Sequence, residues 1–593
     1  MADDVRIERS VLVPMRDGIR LSTDLYFPPE SAGPFGTVLV RTPYDKRKWR
    51  KELPNKPGPL AFARKGFAVA VQDKRGKFES EDDYLFGGGD VLDTEDTVNW
   101  LIGQSWSSGK VAMFGCSYLG EIQIRHAPMR NPNVVAYCPH AAGGALGKAG
   151  GRYAYAATRN GGAMELAQMA GWMYTSGSKA YYHPRGELTS EKLRIGAGLF
   201  RLEPDPLPID LNALCAHLPT KTLMEAAGGP PTDWVDVMTR PLDDPWWDQF
   251  GYLKGDEKID TPCLHINSWY DYGVAETLDT FNLFLDNAVS DEARDNQFVV
   301  ISPSDHCKFE MIGKQAVIGE RAFDNAYFPF EALYDKWFDR WLNGQRDALD
   351  DLPPVQYYLM GREAWESADN WPPDGVTFVN WYLHSGGGAN SRHGDGCLSR
   401  DPPGEEAPDS FVYDPADPVP SHGGPVACMM ESKLEGAFDQ RLIESRQDVL
   451  VYSTPPLEQG ISVVGPIKAR LYVSSSAPDT DVTVKLVDVY PDGRAFNVLE
   501  GILRLRYREG FEREVFLSSE EICLAEVDLQ ATANHFGPGH RIRIEVSSSN
   551  FPRFDRNMNT GGRNFDETHF EVAYNMVHHS DRYPSHILLP IMQ

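Results

Sequence analysis

Lys110-Val111-Ala112-Met113-Phe114-Gly115-Cys116-Ser117-Tyr118-Leu119-Gly120-Glu121-Ile122-Gln123 reads as a short apolar strand that enters a helix through a serine set between glycines. Four consecutive apolar residues, Val111 to Phe114, are what a strand buried on both faces requires. The turn Gly115-x-Ser117-x-x-Gly120 is a variant of the Gly-x-Ser-x-Gly nucleophile elbow, with Leu119 standing where the second glycine usually falls. A serine turned sharply between strand and helix is predicted to occupy a strained backbone region, with its hydroxyl above the sheet. The next helix directs its free N–H groups at whatever negative charge develops beside that hydroxyl. The competing reading is an ordinary serine in a tight turn, and the rest of the chain has to decide between them.

On either side of this stretch the same pattern repeats. Thr37 to Arg41 is a strand ending in Thr42-Pro43-Tyr44-Asp45-Lys46, and Phe67 to Gln72 is another, running into Asp73-Lys74-Arg75-Gly76-Lys77. Asp93 to Leu101 has helical spacing, with carboxylates in its first turn. Further on, Pro262 to Asn267 leads into Ser268-Trp269-Tyr270-Asp271, and Phe298 to Ser302 leads into Pro303-Ser304-Asp305-His306. Strands alternating with helices predict an α/β domain with a mainly parallel sheet covered on both faces. Residues 5–27, around Asp17-Gly18, predict an antiparallel hairpin at its edge.

Two stretches break the alternation. Residues 146–250 are rich in Ala, Gly, Met, Tyr and Trp, among them Tyr153, Met164 and Trp172, and predict a helical insertion. After Leu352-Pro353-Pro354 come short alternating segments, beginning with Val355 to Met360, separated by Gly, Pro, Asp and Ser turns. This predicts a C-terminal all-β domain. The expected division is 1–145 and 251–352 for the α/β domain, 146–250 for the insertion and 353–593 for the β domain.

A chain of 593 residues exceeds what one core usually supports, so several domains are expected. Its 58 basic and 85 acidic residues leave a formal charge of −27, which argues against nucleic acid or an anionic membrane as partner and for a small molecule. No apolar run is long enough to span a bilayer, and Met1-Ala2-Asp3-Asp4-Val5-Arg6 lacks a signal-peptide pattern, so a cytoplasmic location is expected. The eight cysteines are scattered, with no Cys-x-x-Cys pair, and are expected to be reduced thiols.

A hydroxyl is a poor nucleophile at neutral pH, so Ser117 needs a base to take its proton and an acid to orient that base. In this fold class the chain order is Ser, Asp or Glu, then His, each at the C-terminal end of a strand. Asp271 and His306 meet both conditions. Asp271 has the alternative of capping the helix after it. Its rivals as the acid are Asp260, Asp279 and Asp305. The rivals of His306 are His126, His140, His217 and His265, of which His265 lies inside a strand and reads as a buried structural residue. His393, His578 and His579 fall in the β region and are expected to be solvated. No His-Glu-x-x-His motif or carboxylate cluster points to a metal, and no cofactor is expected.

Arg41-Thr-Pro-Tyr44-Asp-Lys, Gln72-Asp-Lys-Arg-Gly-Lys, Asp93-Thr-Glu-Asp-Thr, Gly115-x-Ser-Tyr-x-Gly, Trp269-Tyr-Asp271 and Tyr583-Pro-Ser-His-Ile-Leu-Leu-Pro together resemble the cocaine esterase family, with its α-amino-acid ester hydrolase, glutaryl-type cephalosporin acylase and Xaa-Pro dipeptidyl-peptidase relatives. The resemblance covers essentially the whole chain. It implies an α/β-hydrolase domain with an inserted helical cap and a C-terminal jelly-roll domain. It also implies a Ser117, Asp271, His306 triad and an oxyanion hole formed by the backbone N–H of Tyr118 and the hydroxyl of Tyr44. The chain departs from the relatives' common Pro-Trp-x-His with Pro303-Ser-Asp-His306-Cys307.

A serine esterase is therefore expected, acting on a small ester through an acyl-enzyme. The alternatives are an amidase or acylase on β-lactam or peptide-like substrates, and a noncatalytic ligand binder. A homo-oligomer is left open. The relatives that take α-amino-acid esters hold the ammonium with carboxylates, some two and three residues after the triad acid. Here those positions are Gly273 and Val274, so neutral aromatic or aliphatic acyl groups are expected, with Glu276 or Glu165 as acids that could replace the missing pair.

Overall fold

The computed structural model describes residues 5–29, 33–52, 57–179, 209–229, 231–427, 434–519 and 521–593. The predicted alternation folds into one ten-stranded sheet: β1 (Arg6–Pro14), β2 (Arg20–Phe27), β3 (Phe35–Thr42), β4 (Ala68–Asp73), β5 (Ser107–Cys116), β6 (Val134–His140), β7 (Cys263–Tyr270), β8 (Gln297–Asp305), β9 (Val355–Leu359) and β10 (Ala364–Ala368). The spatial order is β1-β2-β4-β3-β5-β6-β7-β8-β9-β10. The run from β4 to β9 is parallel, and β1 and β2 form the antiparallel hairpin at the edge.

β3, β4, β7 and β8 are buried along their whole length, as parallel strands covered on both faces must be. One face carries α1 (Asp90–Ile102) and α2 (Tyr118–His126), whose Val98, Leu101, Ile122 and Ile124 pack with Leu39, Met113 and Tyr137. On the other face, Leu333, Trp337 and Phe338 pack with Val38, Ala112, Phe114 and Ile266.

The structure corrects one expectation about the domain boundary. Val355 to Met360, read as the first strand of the β domain, instead contributes β9, pairing in parallel with Val299–Ile301 of β8. Its alternating composition suits a strand next to the sheet edge as well as it suits a sandwich, and only pairing tells the two apart.

Within 146–250, a short antiparallel pair, Arg159–Asn160 with Ala163–Met164, is succeeded by α3 (Leu166–Ser176) and the short helices Leu211–Cys215, Leu223–Ala226 and Trp234–Thr239. The C-terminal domain is an antiparallel β structure in which β11 (Val376–His384) pairs with β14 (His586–Met592) and the long β12 (Ile461–Ser475) pairs with β13 (Cys523–Phe536). His393 is exposed and His578 half-buried, but His579 is fully buried, against the expectation of a solvated residue. Its Nε2 lies 2.9 Å from Asp409 and its Nδ1 3.1 Å from Glu406. Burial pulls the imidazole pKa down, and these two carboxylates outweigh it and raise it.

The β domain holds the cap in place. Leu166 and Ala167, at the start of α3, donate their N–H groups to the carbonyls of Arg553 (2.7 Å) and Pro552 (3.0 Å), which satisfies donors that the helix itself cannot. The Arg553 guanidinium is fully buried between Glu165, before α3, and Glu500 of the β domain. This fixes the helix that reaches over the C-terminal ends of β3 and β5.

Candidate active site

Ser117 is the pivot between β5 and α2, with φ 63° and ψ −129°, a conformation that L-residues rarely adopt and that neighbouring structure must enforce. Its N–H donates to the His140 carbonyl at 2.8 Å, and its own carbonyl accepts from Gly120 and Glu121. The unusual glycine spacing has a packing cause. A Cβ at Gly115 would come within 2.5 Å of Leu119 Cβ, and one at Gly120 within 2.8 Å of both Ala142 Cβ and the His140 carbonyl. Leu119 can replace the usual second glycine because its side chain turns into the core beside Phe114, while Gly120 takes the close approach to β6.

Asp271 is the first residue after β7 and His306 the first after β8, so the two lie side by side at the C-terminal edge of neighbouring parallel strands. The Asp271 carboxylate is fully buried. One oxygen accepts from the Gly273 N–H at 2.8 Å and the other contacts His306 Nδ1. The cap of the next helix, α4 (Val274–Asp286), is Gly273 rather than Asp271. Burial pulls the His306 imidazole pKa down, but the Asp271 carboxylate outweighs it and the net displacement is upward. With Nδ1 engaged by Asp271, Nε2 is left for the cavity that Ser117 also lines.

Most of the rival residues are engaged elsewhere, and Asp260 is exposed ahead of β7. His126 bonds Tyr137 and Glu95, His140 stacks on Tyr334, and His217 bonds Thr222. His265 is buried within β7, and burial pushes its pKa down to about 3. Asp279 pairs with Arg152 and Asp305 with Lys308.

Tyr44 lies just past the end of β3. Its hydroxyl accepts a hydrogen bond from Trp172 Nε1 of α3 at 3.0 Å, and burial raises its pKa to about 12, so it stays a donor. The Tyr118 backbone N–H opens α2 beside Ser117. The Tyr118 side chain is anchored beneath: its hydroxyl donates to Asp90 (2.7 Å) and accepts from Lys74 Nζ (2.6 Å) and the Gly87 N–H (3.0 Å). Asp90 also binds Arg125 at 2.7 Å, and Arg41 donates to the Asp90 carbonyl and to Thr94. Burial would raise the Asp90 carboxyl, yet Lys74, Arg125 and Arg41 together hold it below its ordinary range. The motif residues Arg41, Gln72, Lys74 and Thr94, far apart in sequence, thus belong to one buried network under Tyr118.

The cavity above, about 420 Å³ including its open part, is lined by Ser117, Tyr118 and His306 with Phe86, Met169, Trp172 and Tyr272. The insertion and the β domain both contribute to it, through Gln168 and Ala427. Sequence reasoning missed Glu121 here. This residue, 4% exposed, lines the cavity with one oxygen at 3.4 Å from the Tyr272 hydroxyl and the other without a hydrogen-bond partner among the described residues. Burial raises its carboxyl to about 7. Its one sequence signal is its place on α2, one helical turn past Ser117. The two acids the sequence offers as ammonium holders are paired, Glu165 with Arg553 and Glu276 with Arg152.

The expectation of reduced thiols throughout is overturned. Cys116 and Cys307 form a disulfide, with Cα atoms 6.1 Å apart. Cys138, Cys263, Cys397 and Cys523 are free thiols, Cys215 is not part of this disulfide, and Cys428 lies outside the described residues. Scattered cysteines 191 residues apart carry no local sign of pairing, because folding of the sheet is what brings their strand ends together.

The ten-stranded sheet, the strained serine after its fifth strand and the acid–histidine contact at its C-terminal edge are the architecture of an α/β-hydrolase. Comparison with known proteins is consistent with this: residues 17–308 match the X-Pro dipeptidyl-peptidase (S15) family, and residues 347–588 match the X-Pro dipeptidyl-peptidase C-terminal non-catalytic domain. The cocaine esterase of Rhodococcus sp. (strain MB1 Bresler) is 38% identical over 609 residues, covering 99% of each chain. Among solved structures, an α-amino acid ester hydrolase superposes with a TM-score of 0.78 at 26% identity, covering 100% of this chain and 97% of the other. An aminopeptidase from a marine sediment Thaumarchaeota archaeon superposes with a TM-score of 0.80 at 25% identity, with the same coverage. The chain belongs to the cocaine esterase-like family of serine hydrolases. Among the described residues, no helix is long and apolar enough to cross a membrane.

Proposed function

We propose that this protein is a serine esterase that cleaves small carboxylic esters through an acyl-enzyme. Ser117 Oγ attacks the ester carbonyl while His306 Nε2 takes its proton, and Asp271 holds the imidazole and balances the charge it gains. The tetrahedral oxygen is received by the Tyr118 N–H and the Tyr44 hydroxyl, donors fixed in place before the charge develops. His306 then gives the proton to the departing alcohol, and a water activated by the same imidazole releases the acid. The observation that carries this reading is the contact of His306 Nδ1 with a fully buried Asp271, on a loop facing the same cavity as the strained Ser117.

Neutral aromatic or aliphatic acyl groups suit the cavity best. Its walls include the rings of Phe86, Tyr118, Trp172 and Tyr272, Gly273 and Val274 bring no charge, and Glu165 and Glu276 are already paired. Glu121 is raised by burial to about 7, so near neutral pH it is a weak counter-ion for an ammonium. Labelling of Ser117 by a fluorophosphonate probe tests the nucleophile, and a protein left unlabelled would favour the noncatalytic reading. Comparison of kcat/KM for phenylglycine methyl ester and methyl phenylacetate tests the acyl preference, which a clear advantage for the amino ester would overturn. The likeness to an aminopeptidase keeps amide cleavage as a second reading. Parallel assay of an ester and an anilide of one acid separates the two.

A further inference from the structure

The positions of Ser117 and His306 depend on two loops that no strand pairing joins. Ser117 comes directly after β5 and His306 directly after β8, and in the sheet β6 and β7 stand between these strands. The β7–β8 register already shifts between Ser302 and Asp305, so the backbone leaves the regular ladder before it reaches His306. Cys307, the next residue, has φ 56°, a left-handed conformation that non-glycine residues adopt only under constraint. The Cys116–Cys307 bond spans this gap. One cysteine immediately precedes Ser117 and the other immediately succeeds His306, so the cross-link ties the backbone on both sides of the reacting pair.

We propose that the Cys116–Cys307 disulfide is a positioning element of the reaction and that its reduction slows hydrolysis. The proposal rests on the reading of Ser117 and His306 given above. With the bond intact, the His306 loop is held against the elbow and the imidazole stays at the cavity that Ser117 lines. When the bond is broken, the cross-link no longer holds Cys307 in its left-handed conformation. His306 then keeps its Asp271 contact but gains freedom to swing from the serine. A displacement of about 1 Å between reacting groups is enough to cost about 10²-fold in rate. Both cysteines are half-buried rather than sealed in the core, so a small dithiol can reach the bond.

Reduction proceeds by thiol–disulfide exchange. A thiolate of the dithiol attacks one of the two sulfurs and expels the other cysteine as thiolate. The second thiol of the reductant then closes its own disulfide and expels the first. Two electrons pass from dithiol to cystine, the dithiol's two protons end on the protein thiols, and the reductant leaves as a disulfide. Such a bond persists in an oxidising compartment and is lost in a reducing one, so the enzyme's full rate would be tied to its surroundings.

The test begins with thiol titration of the unfolded protein, which should show two fewer thiols without reductant than after reduction. The kinetics of p-nitrophenyl butyrate hydrolysis are then compared before and after treatment with dithiothreitol, with circular dichroism confirming that the fold survives. Reduction should lower kcat by about 10- to 100-fold with KM changed less than about 3-fold, and reoxidation with oxidised glutathione should restore it. The acid limb of the pH–rate profile, which the retained Asp271 contact sets, should stay where it is, so the loss appears in kcat and not in the titration of the imidazole. The Cys116→Ala/Cys307→Ala double variant should show the reduced rate and no response to dithiothreitol. If that variant fails to fold, the reduced wild type carries the comparison alone. Equal thiol counts, or an unchanged kcat after complete reduction, would overturn the proposal. Fluorophosphonate labelling of Ser117 in the oxidised protein would still succeed in either case, so failure here is distinguishable from failure of the esterase reading.

Discussion

Trp172 lines the cavity and stacks on Tyr118, but it reaches Tyr44 through a single atom. Its indole N–H donates to the Tyr44 hydroxyl oxygen at 3.0 Å, which occupies a lone pair there and, in the mechanism proposed above, leaves the tyrosine's own O–H for the developing oxyanion. A neutral hydrogen bond is worth about 0.5–1.5 kcal/mol net, so Trp172→Phe should lower kcat by about 2- to 13-fold if the bond is fully expressed in the transition state. On the proposed mechanism Tyr44→Phe removes an oxyanion donor and should cost about 10² to 10³ in kcat. The effect of Trp172 that runs through its hydrogen bond to Tyr44 is already absent once that hydroxyl is removed, so the double variant should be no slower than Tyr44→Phe alone. The coupling energy would then equal the whole effect of the Trp172 change. The assay is kcat for p-nitrophenyl acetate with all four proteins, since the small acetyl group makes least use of the Trp172 face as a pocket wall. Multiplying effects in the double variant would refute the reasoning and leave Trp172 as a wall residue with no part in tuning Tyr44.

Ser117→Ala should lower kcat by on the order of 10⁴ to 10⁶ without unfolding the protein, and retention of a tenth of the activity would remove Ser117 from the mechanism. The base must be neutral to accept a proton. Since Asp271 holds the His306 pKa above its ordinary 6.5, kcat/KM should fall as pH drops through a value above 6.5. In Asp271→Asn, burial is opposed only by the Glu435 and Asp305 carboxylates, so that limb should move to lower pH while kcat drops by about 10⁴; an unmoved limb would assign it to another group. The Glu121 carboxyl is raised from 4.5 to about 7, so the folded state binds its proton more tightly than the unfolded one. The stability this confers is complete below about pH 4.5 and lost as pH rises through 7, a difference of about 3 kcal/mol. Glu121→Gln should therefore stabilise the enzyme against heat at pH 8.5 but not at pH 4.5, and equal shifts at both would show that Glu121 does not ionise alone.

Ser117, Asp271 and His306 are legible in the sequence because each has a local sign: an apolar run marks a strand, and the residues just past the ends of parallel strands gather at one edge of the sheet. Tyr44 and the Tyr118 N–H come from resemblance, since nothing in Thr42-Pro-Tyr-Asp says where the hydroxyl points. The edge hairpin, the helical insertion and the β domain emerge from periodicity and turn residues alone. Periodicity does not name a strand's partner, which is why Val355–Leu359 pairs in a sheet other than the one its pattern predicts.

What only the tertiary structure decided lies between elements. Trp172 meets Tyr44 because Arg553 and Pro552 of the β domain hold the start of α3, some 390 residues away in the chain, by backbone hydrogen bonds that any sequence could make. Glu165 and Glu276 are spoken for by arginines, while Glu121 has no ion-pair partner among the described residues, a difference set by which side chains the fold brings within reach. Cys116 and Cys307 pair because sheet order carries two strand ends to within 6.1 Å. Local patterns report the periodicity of burial along one segment, whereas partnership depends on distances through space that exist only once all the segments have packed.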